Sequence, residues 1–470
     1  MMMMQWGQFL DHDITYTPVV NESLLCCSPE LVTGSDLHID VTSGGPCFPI
    51  IIEAGDSYFD TVQDRCMEFV RSDSMIDANG ERQQYNANTA WIDGSHIYGI
   101  SETQARGLRS LQDGKLRVKT RNGEDFLPED KGKGEETCFK LEEGDNCFLT
   151  GDHRVNLCDR LKAKHRTWGD EKLYQEARRI VVAVLQGITY REFIPQVIGD
   201  TVAQKYGLAS RLHRTVFSYN KDLDPTLSNV FATAAYRFGH SLISDSLTIS
   251  GKVVKTGDLF MRPKFVLNSL KSLLEAVIAE HAQRADRWYT AGITNRLFEK
   301  PGRPKSGSDL AARNIQRGRD HGLPPYNVWR AHYGLNRITS FDQLPQRSFR
   351  RFPSVYASVV DIDLYTGGLT EDPTPGGGRV GDLYARILAE QFSALKFGDR
   401  FWYENRESTG AATFTDRQIR QLGRIHLSRV LCDTVPGLDN IQAATMRGVD
   451  STNPVVSCDS LFDIGINQFW

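Results

Sequence analysis

No run of about 18 consecutive apolar residues occurs in the 470-residue chain, so no membrane-spanning helix is expected. There is no excess of basic charge. Lys and Arg number 55 against 59 Asp and Glu, a formal net charge of -4, which argues against nucleic acid or an anionic membrane as partner. The opening MMMMQWGQF has neither a basic n-region nor a long apolar h-region, so no signal peptide is expected. None of the nine cysteines lies in CxxC or CxxCH, which sets aside zinc ribbons and covalent c-type haem. No internal repeat of the solenoid kind is present. With 40% hydrophobic and 24% charged residues, what remains is a folded globular chain.

The cysteines that are present fall in local clusters: Cys26, Cys27, Cys47 and Cys66, then Cys138 and Cys147, then Cys432 and Cys458, with Cys158 left over. Clustering of this kind in loop-like sequence reads as disulfides formed in an oxidising compartment, and a sequon, Asn21-Glu22-Ser23, lies in the first cluster. Helical periodicity dominates elsewhere. It predicts helices over 174–193, 227–243, 382–397 and 416–433, with loop-rich sequence over 18–94 and 121–144. The fold class is therefore mainly α: one large helical unit with long loops and little strand.

Four stretches carry chemistry. WGQFLDHDI (6–14) places Gln8, Asp11 and His12 on one helical face at i, i+3 and i+4, while Asp13 points elsewhere and Trp6, Phe9, Leu10 and Ile14 call for burial. A histidine beside an amide suits proton transfer to a small polar ligand, and a satisfied core histidine is the plainer reading. AAYRFGHSLI holds His240, with Gly239 leaving room for a flat group and Arg237 able to reach an anion. LAARNIQRGRDHGLPPYNVWR (310–330) holds Asn314 and three arginines, Arg313, Arg317 and Arg319, among apolar residues. Buried arginines need anions. NANTAWIDGSHIYG (86–99) offers hard oxygen donors at Thr89, Asp93 and Ser95 and the carbonyl near Trp91, the donor type calcium prefers.

Together and in this order, WGQFLDHD, NANTAWIDGSHIYG, CFLTGDHR, YRFGHSLI and ARNIQRGRDHGLPPYN resemble the animal-type haem peroxidases of the peroxidase–cyclooxygenase superfamily, and look closest to the invertebrate peroxidasin-like and chorion-type members. The resemblance implies a single haem peroxidase domain over 1–470. It implies that His12 is the distal acid–base, that Arg154 stabilises the departing oxygen, and that Gln8 orders water or a halide. By the same resemblance His240 is the proximal iron ligand, Asn314 accepts its other N–H, Arg237 and Arg317 hold the propionates, and Asp11 forms one ester link to haem b. Asp13, Thr89, Trp91, Asp93 and Ser95 would bind a structural calcium. Cys138 would pair with Cys147 and Cys432 with Cys458, while Cys26 and Cys27 would pair with Cys47 and Cys66 in an order left open.

The implied activity is that of a secreted enzyme that reduces hydrogen peroxide through a high-valent iron–oxo haem and oxidises halides, phenols or protein tyrosines. The chain departs from the family pattern at one internal place. After GDHRVN (151–156) the sequence continues at once into LCDRLKAKHRTWGDEK, as though a long helix were absent, and Leu157 stands where a second ester-forming glutamate is expected. The start also reads as incomplete at the N-terminus. A cyclooxygenase-like dioxygenase would want a membrane-binding helical patch and a radical tyrosine, neither of which is evident. A haem-poor adhesion or matrix protein is the alternative from another class, without an RGD triplet to support it.

Overall fold

The first helix, Met2–Ile14, sets the frame. Trp6, Phe9, Leu10 and Ile14 are all buried, as their spacing requires. The Trp6 indole donates to Thr189 Oγ1 at 3.2 Å, and the Tyr236 hydroxyl donates to the Gly7 carbonyl at 3.1 Å. The helix ends where Thr15 turns extended and its hydroxyl donates back to the Asp11 carbonyl at 2.8 Å. Two more carbonyls of the last turn are met by asparagine side chains: Asn88 donates to His12 O and Asn86 to Ile14 O, each at 2.8 Å. These satisfy acceptors that a helix terminus leaves without intrahelical partners.

The computed structural model describes all residues except 22–23, 28–44, 61–65, 122–123, 127–152, 210–218, 263–264, 267–269, 346–349, 407–412 and 464–470. Within them the chain is mainly helical, with five two-stranded antiparallel hairpins and no larger sheet. The helix expected over 174–193 runs from Asp170 to Ile188 and then widens into a π-turn, Thr189–Phe193. It resumes as Ile194–Ile198, where Pro195 sits in the first turn and so costs no internal hydrogen bond. The Asp382–Phe397 helix matches its expected span and is buried along most of its length.

Two helices differ from expectation. The segment 227–243 is split into Asn229–Thr233 and a 3₁₀ helix, Ala235–Leu242, at Ala234, whose backbone (φ -127°, ψ -69°) leaves the helical region. The 416–433 segment breaks at Gly423 into Asp416–Leu422 and Leu427–Thr434. The tight 3₁₀ winding places Arg237 and His240, three residues apart, along nearly one edge.

Aromatic rings fill the space behind this segment. Phe231 stacks on Tyr236 at 4.7 Å, Phe231 meets Phe392 edge-on at 5.6 Å, and Tyr190 meets Trp402 at 4.8 Å. Disulfides link Cys26 to Cys47, Cys27 to Cys66 and Cys432 to Cys458, which settles the order left open above. Cys158, the odd cysteine, is buried, and its Sγ donates to the Gly114 carbonyl at 3.3 Å. Cys138 and Cys147 lie outside the described residues, as does part of the sequon.

Close packing is sharpest in the short helix Leu364–Leu369. A Cβ on Gly368 would lie 2.1 Å from the Tyr384 ring, and one on Gly367 would lie 2.3 Å from the Tyr326 ring. Gly368→Ala is therefore expected to destabilise the fold by about 1–3 kcal/mol through overpacking, read as a lowered thermal midpoint. An unchanged midpoint would show that the Tyr384 ring moves aside freely.

Candidate functional site

Two faces of the first helix do different work. Asp13, buried, turns away from the Asp11 side, as expected. Its carboxylate accepts from the backbone N–H of Ser95 (2.6 Å) and of Gly94 (3.1 Å), and the Ser95 hydroxyl reaches its carbonyl at 2.8 Å. Gly94 makes this approach with φ +69°, a left-handed conformation that suits glycine. The Thr89 hydroxyl donates to Asp93 Oδ1 at 3.0 Å. Asp93 is pushed up to about 6, first by burial and next by the nearby charge of Asp13. Two carboxylates are thus held together in a desolvated pocket with hydroxyl oxygens around them, and Trp91 lies in the same loop. That donor set fits a hard cation such as calcium. Three or more His, Cys, Asp or Glu grouped for a metal do not occur among the described residues, so hydroxyl and carbonyl oxygens would complete any such site.

On the other face Gln8 is exposed, and Asp11 and His12 are half-buried. Burial raises the Asp11 carboxyl above the ordinary carboxylate value, against the opposing pull of His12, of the Thr15 hydroxyl (2.6 Å) and of Arg237. The first helix and the 3₁₀ segment therefore sense each other's charge across the space between them.

His240 lies one 3₁₀ turn beyond Arg237. Its Nδ1 lies 2.8 Å from Asn314 Nδ2, and Arg237 Nη1 donates to Asn314 Oδ1 at 3.0 Å. Burial first, then the positive charge of Arg237, lowers the imidazole to about 3. A neutral ring is the form that ligates metal. Its Nε2 has no hydrogen bond among the described residues, and a Cβ built on Gly239 would meet nothing within 4 Å. A neutral imidazole next to open space fits an iron-bearing flat cofactor once the Asn314 amide is turned, so that Nδ1 carries the ring hydrogen and Nε2 the lone pair.

Two of the expected groups already have partners within the chain. Asn314 presents its amide nitrogen to His240, because its oxygen is taken by Arg237, so it donates in this arrangement rather than accepts. Arg317 already has an anion within the chain: it pairs with Asp320 at 2.9 Å, donates to the Val70 carbonyl at 3.1 Å and lies over the Phe69 ring at 4.1 Å. Arg313 and Arg319 likewise find partners, at Glu68 O (2.8 Å) and Asp363 (2.9 Å). Arg154 falls in the helix His153–Lys164, but its side chain lies outside the described residues.

The sequence motifs also contained a residue whose role went unread. Asp320, its side chain fully buried, pairs with Arg71 (2.7 Å), Arg82 (3.3 Å) and Arg317, and accepts from the Ser72 N–H at 2.9 Å. Burial pushes its carboxyl up, but these donors outweigh it and hold it below the ordinary value. His321 beside it bridges Ser72 Oγ (2.7 Å) and Thr233 Oγ1 (3.0 Å), pinning the 3₁₀ segment's neighbour to the 310–320 helix. Two arginines ahead of one Asp in RGRD (317–320) was the available signal.

The sequence profile for animal haem peroxidases matches residues 1–157 and 156–446. The chain belongs to the animal haem peroxidase family. It is 33% identical to the chorion peroxidase of Drosophila melanogaster, across 98% of this chain and 60% of that protein. It is 34% identical to the myeloperoxidase of Mus musculus, across all of this chain and 68% of that protein. Among solved structures, peroxidase A of Dictyostelium discoideum superposes with a TM-score of 0.76 at 25% identity, covering 94% of this chain and 86% of that one. The chain thus spans about three fifths of the length of the chorion peroxidase. The two matched segments meet at the place where the sequence leaves the family pattern.

The buried charge cluster yields a direct test of the scaffold. Asp320→Asn leaves three guanidinium groups without their shared anion and is expected to cost about 3–5 kcal/mol. Chemical denaturation checks it; a loss below about 1 kcal/mol would mean that water reaches the cluster.

Proposed function

We propose that this family member is a haem peroxidase, one domain over 1–470, that reduces hydrogen peroxide and oxidises halides, phenols or protein tyrosines in an extracellular setting. The observation that carries the reading is the neutral His240 with Nδ1 engaged by Asn314 and Nε2 spare. Haem, when bound, supplies the redox-active iron. His240 would hold that iron. Arg237 would pair with a propionate, and its departure from Asn314 Oδ1 would free that oxygen to turn and accept the His240 Nδ1–H, making the imidazole more electron-rich. The direction seen now and the direction the family pattern implies are then two settings of one amide.

On the opposite side His12 would carry a proton from one peroxide oxygen to the other, with Arg154 stabilising the charge on the oxygen that leaves. Gln8 would order a water or halide there, consistent with its exposed side chain. Asp11, beside His12 and held uncharged more easily than a surface acid, would form the single ester link. Asp13, Thr89, Trp91, Asp93 and Ser95 would hold calcium. That ion would neutralise the Asp13–Asp93 repulsion and thereby fix the helix that carries His12. Three disulfides among the described residues support an oxidising compartment. No helix of the described residues is long and apolar enough to cross a membrane. The break at 156–157 is read as an internal deletion.

The deciding experiment is an absorption spectrum of the chain supplied with haemin, before and after hydrogen peroxide. A Soret band that shifts on peroxide, with turnover of a phenol, is expected. His240→Ala should abolish haem retention, whereas His12→Ala should retain haem and slow the peroxide reaction by about 10²–10⁴-fold, the span of a general acid–base contribution. Unaltered peroxide kinetics in the His12 variant would sink its role. Separately, chelating calcium should lower the thermal midpoint and the peroxide rate, and re-addition should restore both. No change after verified removal would overturn the calcium site.

A further inference from the structure

One buried amide, remote from His240, reaches the loop that carries the calcium donors. Gln186, 1% exposed in the Asp170–Ile188 helix, donates from Nε2 to the Ile92 carbonyl at 3.0 Å. That carbonyl belongs to the peptide joining Ile92 to Asp93, and Trp91 is the residue before it. The same nitrogen lies 3.4 Å from Asp399 Oδ2, while Oε1 accepts from the Tyr403 N–H at 3.2 Å. These partners fix the direction of the amide. A carbonyl and a carboxylate only accept and a backbone N–H only donates, so a reversed amide would set acceptor against acceptor twice and donor against donor once.

The wall behind the amide is firm. Asp399 Oδ1 accepts from the Phe401 N–H at 2.7 Å, and the buried Trp402 meets the Tyr190 ring at 4.8 Å. Three residues on from Gln186, Thr189 accepts from the Trp6 indole of the first helix at 3.2 Å. Leu185 lies against the loop as well, since a Cβ on Gly94 would meet its Cδ1 at 3.6 Å. One turn of this helix thus touches both the loop and the helix that carries His12. The ties through Asn86, Asn88 and Asp13 run only between the loop and the first helix. Gln186 refers the loop to a third element.

We propose that Gln186 is a positioning residue for calcium: by holding the Ile92–Asp93 peptide it presents the Asp93 carboxylate and the Trp91 carbonyl together, and so sets the affinity of the site. The proposal rests on the calcium reading above. Gln186 touches neither the ion nor the reacting atoms and acts through the loop. Like carboxylates held close in a desolvated place repel each other, so with the site empty Asp13 drives Asp93 outward. A loop whose Ile92 carbonyl had lost its donor would yield to that repulsion. An arriving ion would then have to draw Asp93 back, and the cost would be taken from its affinity.

The test uses the full chain supplied with haemin, at a pH of about 8, above the Asp93 value of about 6. Calcium affinity is measured by competition with a chromophoric chelator. Gln186→Met keeps the length of the side chain and removes the donor, and it should weaken calcium binding by about tenfold to a hundredfold. Its thermal midpoint should fall further below that of the unaltered chain in calcium than in excess chelator, and saturating calcium should restore its peroxide rate. Gln186→Glu serves should that variant fail to fold. Its carboxylate still accepts from the Tyr403 N–H but cannot donate to Ile92 O, so calcium should bind more weakly although the added negative charge alone would strengthen it. Affinity unchanged within about twofold in a folded variant, or a midpoint lowered equally with and without calcium, overturns the role and leaves the calcium site standing. An unaltered chain that takes up no calcium overturns the site and this role together.

Discussion

Asn314 is fully buried, and its side-chain amide meets three groups from two other segments: the Arg237 guanidinium at Oδ1, and the His240 ring and the Tyr365 hydroxyl at Nδ2. Each of those groups is polar and removed from bulk water, so each needs a partner. A buried donor or acceptor left alone costs about 1–3 kcal/mol. One amide answers all three, and so the relative placement of the 3₁₀ segment, the 310–320 helix and the Leu364–Leu369 helix is fixed by a single side chain. That helix in turn cannot drift, because Asp320 ties its last turn to Arg71, Arg82 and the Ser72 backbone. The geometry at His240 is thus inherited from a charge cluster at the other end of the same helix.

The first helix obeys a complementary constraint. Its apolar residues bury it, but the polar residues between them cannot all face one way. Asp13 faces the 86–99 loop, while Asp11 lies within reach of the Arg237 charge. The two faces are mechanically one object. Whatever neutralises the adjacent Asp13 and Asp93 charges also decides how firmly His12 is presented, since the same loop supplies Asn86 and Asn88 to the helix's last carbonyls.

Much of this was legible from the residues. The i, i+3, i+4 spacing in 6–14 placed Asp11 and His12 on one face and Asp13 on another, and the mainly helical class followed from periodicity. What was not legible depended on competition between partners that are distant in sequence. Nothing in ARNIQRGRDHG says that Arg317 prefers Asp320, three residues on, to an external anion, nor that Arg237 claims the oxygen of Asn314. The 227–243 pattern read as one helix because apolar spacing does not separate α from 3₁₀ winding over so few residues. Tyr289 and Tyr365 lie 76 residues apart in plain sequence, and only the fold brings their hydroxyls together.

The break at 156–157 raises a physical question, since removing a core helix exposes apolar surface. The segment that follows answers part of it. Cys158, Leu161, Leu173 and Ala177 form a small cluster of their own, joined by Leu157 and Trp168 and separate from the main core. Arg109, bound to Asp170 and to Glu171 (2.5 Å), and the Gly114 N–H, donating to Asp170 at 2.6 Å, tie this corner to the 102–116 region. The apolar residues after the break therefore cover one another locally, with Leu157 also touching the main core. The support of His240 and of the first helix comes from elsewhere: the Asn314 amide on one side, and the 86–99 loop with Thr189 and Tyr236 on the other.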